Sequence, residues 1–320
     1  MANGSDSLPG IGVRLCEIDA GSHDQRVDNY LLRELKGVPR SRIYTILRKG
    51  EVRVNKKRVG PDYRLQTGDL VRIPPVRTAE RKEAFIGDKT LAVIENSIIY
   101  EDAGMLVVNK PSGIAVHGGS GVDFGLIEAL RRLRPNDPDI ELVHRLDRDT
   151  SGCVLLAKKR AVLKSLHEAF RGDGVDKRYL ALVVGKWPAH LKEINAPLNK
   201  NELKSGERMV SVHVDGKASV TRFTVIERFD HLTLIEAKPV TGRTHQIRVH
   251  AQFAGHPLAG DPKYGTDEDN LRLRDKGLRR LFLHSASIAC FFPHLNKQVK
   301  FESPLPPELQ NVLDNLRARK

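Results

Sequence analysis

Pro74-Pro75, followed by a charged and irregular stretch to about Lys89, divides the 320-residue chain into a short module and a long body. The module reads as helix, helix, strand, turn, strand. Residues 26–35 place Val27, Tyr30, Leu31, Leu32 and Leu35 at helical spacing, and Gly37-Val38-Pro39 stops the run. Ser41 reads as the N-cap of a second helix over 42–49, with Ile43, Ile46 and Leu47 on one face and Gly50 at its C-cap. Val52 and Val54 alternate with Arg53 and Asn55 as a strand does, and Gly68-Asp69 precedes a second strand at 70–73. The expected boundaries are a disordered leader at 1–23, the module at 24–76, a linker at 77–90 and the body at 91–320. In the body, apolar runs predict strands at 98–100, 105–108, 153–157, 179–184, 219–225, 232–237 and 281–289. Helices are expected at 124–133, at 160–171 (a stripe of Val162, Leu163, Leu166, Ala169 and Phe170) and at 245–254. Strands outnumber helices and do not alternate with them strictly. The expected class is therefore α+β with a mixed, mainly antiparallel sheet rather than a doubly wound one.

The formal charge is +13, and +9 of it falls between Arg26 and Arg77, about a sixth of the chain. Arg40, Arg42, Arg48, Lys49, Arg53, Lys56, Lys57 and Arg58 flank the two helices and the turn after them. Such a run is most often a solvated face, but the excess of one sign in so short a segment favours a polyanionic partner, RNA or DNA, held through phosphates. No apolar run approaches the roughly 20 residues of a membrane span, and residues 1–12 lack the basic and apolar regions of a signal peptide. Cys16, Cys153 and Cys290 are odd in number and far apart, which excludes a disulfide framework or a cysteine-based zinc finger. A reducing compartment, the cytoplasm, is expected, with no membrane association.

The densest chemistry lies in His144-Arg145-Leu146-Asp147-Arg148-Asp149-Thr150-Ser151-Gly152, directly before an apolar strand. Loops at strand ends, held by a rigid scaffold, commonly carry function. Further clusters are Gly242 to His250, Lys177-Arg178-Tyr179 and the Gly/Ser loop at 110–121, which lacks the GK[ST] ending of a nucleotide-binding loop. Each piece has a plainer reading. A lone Asp147 beside Arg145 and Arg148 is more often an ion-pair partner, and a lone Tyr179 is most often core. His144, His245 and His250 have no metal-ligand spacing, so structural histidines are favoured over metal ligands. Ser151 is not in a GxSxG elbow.

Longer motifs decide between these readings. RVDNYL at 26–31, SRIYTILRKGEVRVN at 41–55 and LQTGDLVRIP at 65–74 resemble an S4 RNA-binding domain. LVVNKPSGIAVHGG, HRLDRDTSG, KRYLALVVG, TGRTHQIRVHAQFAGHPLAGDPKYG and RLFLHSASI, in that order over residues 98–292, closely resemble the RluA family of RNA pseudouridine synthases. With the S4 module ahead of it, the body is most similar to the ribosomal large-subunit branch of that family. The resemblance implies that Asp147 is the catalytic aspartate, Arg248 its basic partner and Tyr179 the ring that stacks on the target base. It implies that Arg145, with His144 and Thr150 of the same motif, contacts substrate, Arg145 filling the gap left by an extruded nucleotide, and that Thr150 and Ser151 brace the loop by local hydrogen bonds to backbone. The implied reaction isomerises specific uridines of 23S ribosomal RNA to pseudouridine, on rRNA or a pre-ribosomal particle, by a monomer that needs no metal and no organic cofactor. The alternatives are a synthase acting on tRNA and a non-catalytic RNA-binding or ribosome-assembly factor.

Overall fold

The computed structural model describes residues 12–35, 37–76, 85–119, 122–172, 174–202 and 208–318. The chain divides into two compact units, Met1–Phe85 and Ile86–Lys320.

In the first unit, β1 (Arg14–Glu17) precedes helices α1 (Val27–Glu34) and α2 (Arg40–Arg48), the hairpin β2 (Arg53–Val54) and β3 (Lys57–Arg58), and β4 (Leu70–Ile73). The strands form one sheet in the order β1-β4-β2-β3. Val27, Leu31, Ile43, Ile46, Leu65, Val71 and Ile73 are fully buried between helices and sheet. The helix-helix-strand-strand order agrees with the sequence pattern, with three differences. First, α2 begins at Arg40, not Arg42, and its cap residue is Pro39: the Arg42 and Ile43 amides both donate to the Pro39 carbonyl, so the helix starts before Ser41. Second, the basic turn is a tight hairpin in which Asn55 and Lys56 both have positive φ, 50° and 67°, the signature of a type I′ turn. Third, the expected leader is not wholly a leader. Residues 1–11 lie outside the described residues, but Arg14–Glu17 pair in register with β4. Its side chains are mostly exposed, so ladder hydrogen bonds rather than burial hold this edge strand, and periodicity does not reveal it.

The second unit begins with α3 (Asp88–Glu95), then β5 (Ile98–Glu101), β6 (Met105–Lys110), α4 (Leu126–Leu133), β7 (Glu141–Leu142), β8 (Ser151–Ala157), α5 (Arg160–Arg171) and β9 (Val175–Val184). There follow β10 (Glu193–Asn195), β11 (Leu198–Glu202), β12 (Arg208–Val212), β13 (Val220–Arg228), β14 (Leu232–Pro239), α6 (Gln246–Phe253), α7 (Asp267–Arg274), β15 (Leu283–Phe292), β16 (Lys297–Glu302) and α8 (Pro307–Arg317). A ten-stranded sheet runs β10-β13-β14-β9-β15-β8-β6-β5, with β16 on β15 and β7 on β8, while β11 and β12 form a separate hairpin. Among the described pairs only β15–β8 is parallel, which makes the sheet mixed and mainly antiparallel. The unit starts earlier than residue 91: Ile86 and Ile94 are buried in its core, and Gly87-Asp88-Lys89, which reads as linker, is the cap and first turn of α3. Residues 77–84 of the expected linker lie outside the described residues.

The parallel junction positions the site. Ser151 and Gly152 open β8 beside His284 and Ser285 of β15, and Ser285 in turn faces Tyr179 of β9. Gly152 has φ 112°, and a Cβ there would meet the Ser285 carbonyl oxygen at 2.3 Å, so no other residue fits this close approach. A bulge between Ser285 and Ser287 interrupts the ladder beside Tyr179. Helix α6 spans Gln246–Phe253 rather than 245–254, because His245 takes a left-handed conformation at its start. The helix is buried on more than its apolar side: Gln246, Arg248 and His250 are as buried as Ile247 and Val249. Each buried polar side chain has partners, as burial requires. Gln246 bonds Thr241, the Arg243 amide, Val220 and Thr221, and His250 lies between Ser219, Thr221 and the Ala196 carbonyl.

Candidate active site

The loop between β7 and β8 carries Asp147 at the wall of a cleft of about 570 Å³, which Arg145, Tyr179, Arg243 and Arg248 also line. A second cleft of about 460 Å³, lined by His117, Arg148 and Lys263, shares Asp147, Arg145, His245 and Arg248 with the first. Both volumes are in the range of small-ligand sites. Asp147 thus stands where two clefts adjoin.

Backbone anchoring fixes the loop. The Thr150 amide donates to the Asp147 carbonyl at 3.2 Å, and the Ser112 hydroxyl and Gly113 amide donate to the Asp149 and Arg148 carbonyls. Lys110, wholly buried at the end of β6, donates from Nζ to the carbonyls of Pro111, Ile114 and Arg148 at 2.8–3.0 Å. Burial pushes the Lys110 amine down to about 7, against the charges of Asp149 and Asp147. The expected bracing by Ser151 is not local. Its hydroxyl lies 3.0 Å from His284 Nδ1 and accepts from Arg280 Nη2, so it ties β8 to its neighbours rather than closing the loop.

Arg248 approaches Asp147 from α6, with Nη1 3.8 Å from Oδ2. Its main partner is a residue that sequence reasoning did not single out. Nε and Nη2 each donate to Asp261 at 2.7 Å in a bidentate pair, with Asp261 fully buried and Arg248 nearly so. Asp261 also accepts the Lys263 and Tyr264 amides. Gly260 makes this turn possible: φ is 73°, and a Cβ would fall 2.1 Å from the Arg280 carbonyl oxygen. Burial opposes the charge on Arg248, but the Asp261 hydrogen bonds and the charges of Asp261 and Asp147 outweigh it and raise its pKa. One guanidinium therefore serves two carboxylates.

Tyr179 is 9 % exposed at the centre of the sheet. Burial pushes its phenol well above the usual range, the Ser285 side chain pulls the other way and the Asp147 charge adds to the rise, so the ring is neutral. Arg145 is exposed, and its guanidinium makes no hydrogen bond or ion pair with any described residue, which leaves it available. His144 lines the same wall but is engaged with the protein. Its Nε2 accepts the Leu155 amide at 3.1 Å, its ring stacks on Phe170 at 4.9 Å, and burial, aided by the Lys177 charge, pushes it down to about 3. Thr150 is buried beneath the loop. The structure thus brings Asp147, Tyr179, Arg248, Arg145, His144 and Thr150 to one cleft, with His144 and Thr150 in its walls.

Sequence reasoning also passed over Lys110 and Tyr264, and it read His245 as a structural histidine. All three lie inside the quoted motifs; Lys110 precedes Pro111 and Tyr264 precedes Gly265, and an unexplained charge or ring in those places was the signal available. No group of three or more His, Cys, Asp or Glu among the described residues is placed to hold a metal ion. In the first unit, all eight basic residues from Arg40 to Arg58 are exposed, and Arg58 Nη2 donates to the Arg48 carbonyl, joining the hairpin to the end of α2.

Residues 104–253 match the RNA pseudouridylate synthase family, and residues 25–71 match the S4 domain. The chain is 56 % identical to ribosomal large subunit pseudouridine synthase C of Pasteurella multocida, over 96 % of this chain and 95 % of that protein. It is 53 % identical to the protein of the same name from Haemophilus influenzae, over the full length of both. The Escherichia coli protein of that name is 54 % identical over 95 % of this chain and 97 % of its own length. Among solved structures, human RNA pseudouridylate synthase domain containing 4 is similar over 71 % of this chain and 95 % of its own, with a TM-score of 0.58 and 26 % identity. With relatives more than half identical over nearly its whole length and a matching family model within its catalytic unit, this chain is a member of the RNA pseudouridylate synthase family.

Proposed function

We propose that the protein isomerises specific uridines of 23S ribosomal RNA to pseudouridine, with Asp147 as the catalytic carboxylate. The observation that carries this reading is the placement of one aspartate at the meeting of two clefts, beside a buried arginine already neutralised by Asp261. The large-subunit names of relatives more than half identical to this chain supply the substrate class. They favour ribosomal RNA over tRNA, and the intact trio of Asp147, Tyr179 and Arg248 disfavours a binding-only factor.

In this reading the target nucleotide leaves its stack, at an expense of a few kcal/mol, and enters the larger cleft. Arg145, exposed at the rim, takes its place in the RNA, since a guanidinium plane both stacks and binds phosphate. Tyr179 presents an uncharged ring to the base. Asp147 meets the nucleotide as the anionic group, the N1–C1′ bond breaks, the base turns, and C5 bonds to C1′. The proton lost from C5 is balanced by the one gained at N1, so the product is an isomer and the reaction consumes no redox partner or group donor. His144 and Thr150 support the wall against which the nucleotide rests. Arg40, Arg42, Arg48, Lys49, Arg53, Lys56, Lys57 and Arg58 of the first unit hold RNA phosphates. The protein works as a cytoplasmic monomer on rRNA or a pre-ribosomal particle. Its three cysteines are free, and no helix among the described residues is long and apolar enough to cross a membrane.

The test reads pseudouridine directly, by carbodiimide labelling and primer extension across 23S rRNA from a strain lacking the protein. Complementation with the wild type restores the lost stops, and Asp147→Ala restores none. Full restoration by Asp147→Ala would remove this residue from the chemistry.

A further inference from the structure

His245 is one of two described residues in the catalytic unit, with Asn296, that carry a side chain at positive φ. A left-handed conformation is uncommon outside glycine, although histidine adopts it more readily than most side chains, and it persists where the surroundings over-determine it. Here three contacts do so. His245 Nδ1 lies 2.8 Å from Tyr264 Oη, the two rings meet edge to face at 5.5 Å, and His245 Nε2 lies 3.8 Å from Asp147 Oδ2. Tyr264 is itself fixed. It is 3 % exposed, its Oη accepts the Val210 amide from β12 at 3.1 Å, and its ring lies 5.0 Å from the Arg248 guanidinium.

The hydrogens can be arranged in two ways. If Nδ1 carried the proton, the Tyr264 hydroxyl hydrogen would lack its nearest acceptor and a bare Nε2 lone pair would face an anion. If Tyr264 donates to Nδ1, Nε2 carries the proton and points it at the carboxylate. The second arrangement satisfies every group. Both groups that approach Asp147, Arg248 Nη1 and His245 Nε2, fall on the same oxygen, Oδ2, and at the same 3.8 Å. That is long for a hydrogen bond, as catalytic contacts often are before substrate binds.

We propose that His245, fixed by the Tyr264 hydroxyl as its neutral Nε2–H tautomer, is a positioning residue that holds Asp147 by Oδ2 and presents Oδ1 to the nucleotide. This rests on Asp147 being the catalytic carboxylate. Burial lowers the His245 pKa, Arg248 and Lys263 lower it further, and Asp147 and Asp261 oppose them, so the ring acts as a dipole rather than a second cation. The division of labour is chemical. Arg248 supplies charge, half-committed to Asp261, while His245 supplies direction, and the direction is set by main chain in the hairpin β11–β12.

The experiment measures release of tritium from C5 of uridine in a 23S rRNA transcript, under single turnover, with full-length protein. Tyr264→Phe and His245→Asn slow the reaction about 10- to 100-fold, the scale of a misdirected reacting group, while RNA affinity stays within about two-fold of wild type. Asparagine tolerates the left-handed backbone, so the second variant keeps the fold. His245→Gln, whose amide nitrogen reaches the position of Nε2, recovers most of the rate. Nitrogen-15 resonances of histidine-labelled wild type show Nε2 protonated and Nδ1 bare, and Tyr264→Phe loses that preference. A wild-type rate for His245→Asn or for Tyr264→Phe, or an Nδ1–H form in the wild type, overturns the proposal. Asp147→Ala separates the two readings. An inactive Asp147→Ala beside a fully active His245→Asn removes only the role of His245, whereas an active Asp147→Ala removes the catalytic reading and the positioning role with it.

Discussion

His284 shows how single residues tie this fold to pH. It is fully buried in β15, its Nε2 donates to the Ser303 carbonyl at 3.0 Å, and its Nδ1 accepts from the Ser151 hydroxyl. Burial pushes it down to about 4, helped by Arg280 and opposed by the Ser303 carbonyl and Glu308. Between the unfolded value near 6.5 and this folded value, the unfolded chain binds the extra proton, so stability falls as pH falls through that window. At pH 5 the loss is on the order of 2 kcal/mol from this residue. Urea unfolding at pH 7 and pH 5 checks it: His284→Gln shows a smaller drop between the two pH values than wild type. Lys110 works in the opposite range. Its folded pKa is lowered to about 7 from 10.5, so the unfolded chain holds more protons between these values and stability rises with pH across that window. Melting temperatures at pH 7 and pH 9 rise less, or fall more, in Lys110→Met than in wild type.

At the scale of elements, the β2–β3 hairpin separates stability from binding. Lys56 holds a left-handed backbone that costs a non-glycine residue about 1–2 kcal/mol. Lys56→Gly therefore stabilises the first unit by about 1 kcal/mol in chemical denaturation while weakening RNA binding. A loss of both stability and affinity would contradict the turn geometry. The same hairpin shows what was legible from sequence. The alternation at 52–55 identified strand, but not the type I′ reversal, because Lys56 is not a residue that announces positive φ. Helix α5 was legible to the residue, 160–171, because one face packs on the sheet and the other meets solvent. Strand β1 was hidden by its exposed side chains, whereas α6 was legible to within one residue at each end, and only the burial of its polar side chains was not. In the site, motif resemblance pointed to Asp147, Tyr179 and Arg248, which the structure brings to one cleft. Asp261, Lys110, His245 and Tyr264 were not legible, because their work is to hold other groups, and such work depends on distances between residues remote in sequence.

For the whole molecule, affinity and chemistry are expected to reside in different units. The first unit has its own buried core, and its exposed Lys56, Lys57 and Arg58 share one hairpin. Replacing these three by Gln reduces the slope of log K against log salt by about 2–3, near one for each phosphate no longer neutralised. Single-turnover chemistry at saturating RNA is unchanged. An unaltered salt slope would place the phosphate-binding groups elsewhere. In the catalytic unit, by contrast, a buried amine gathers three main-chain oxygens, one of them the Arg148 carbonyl, and so ties the loop that carries Asp147 to the segment after β6 by hydrogen bonds to backbone. Arg145 on the outer surface of that loop is consequently left to meet RNA, since the backbone beneath it keeps its shape without that side chain.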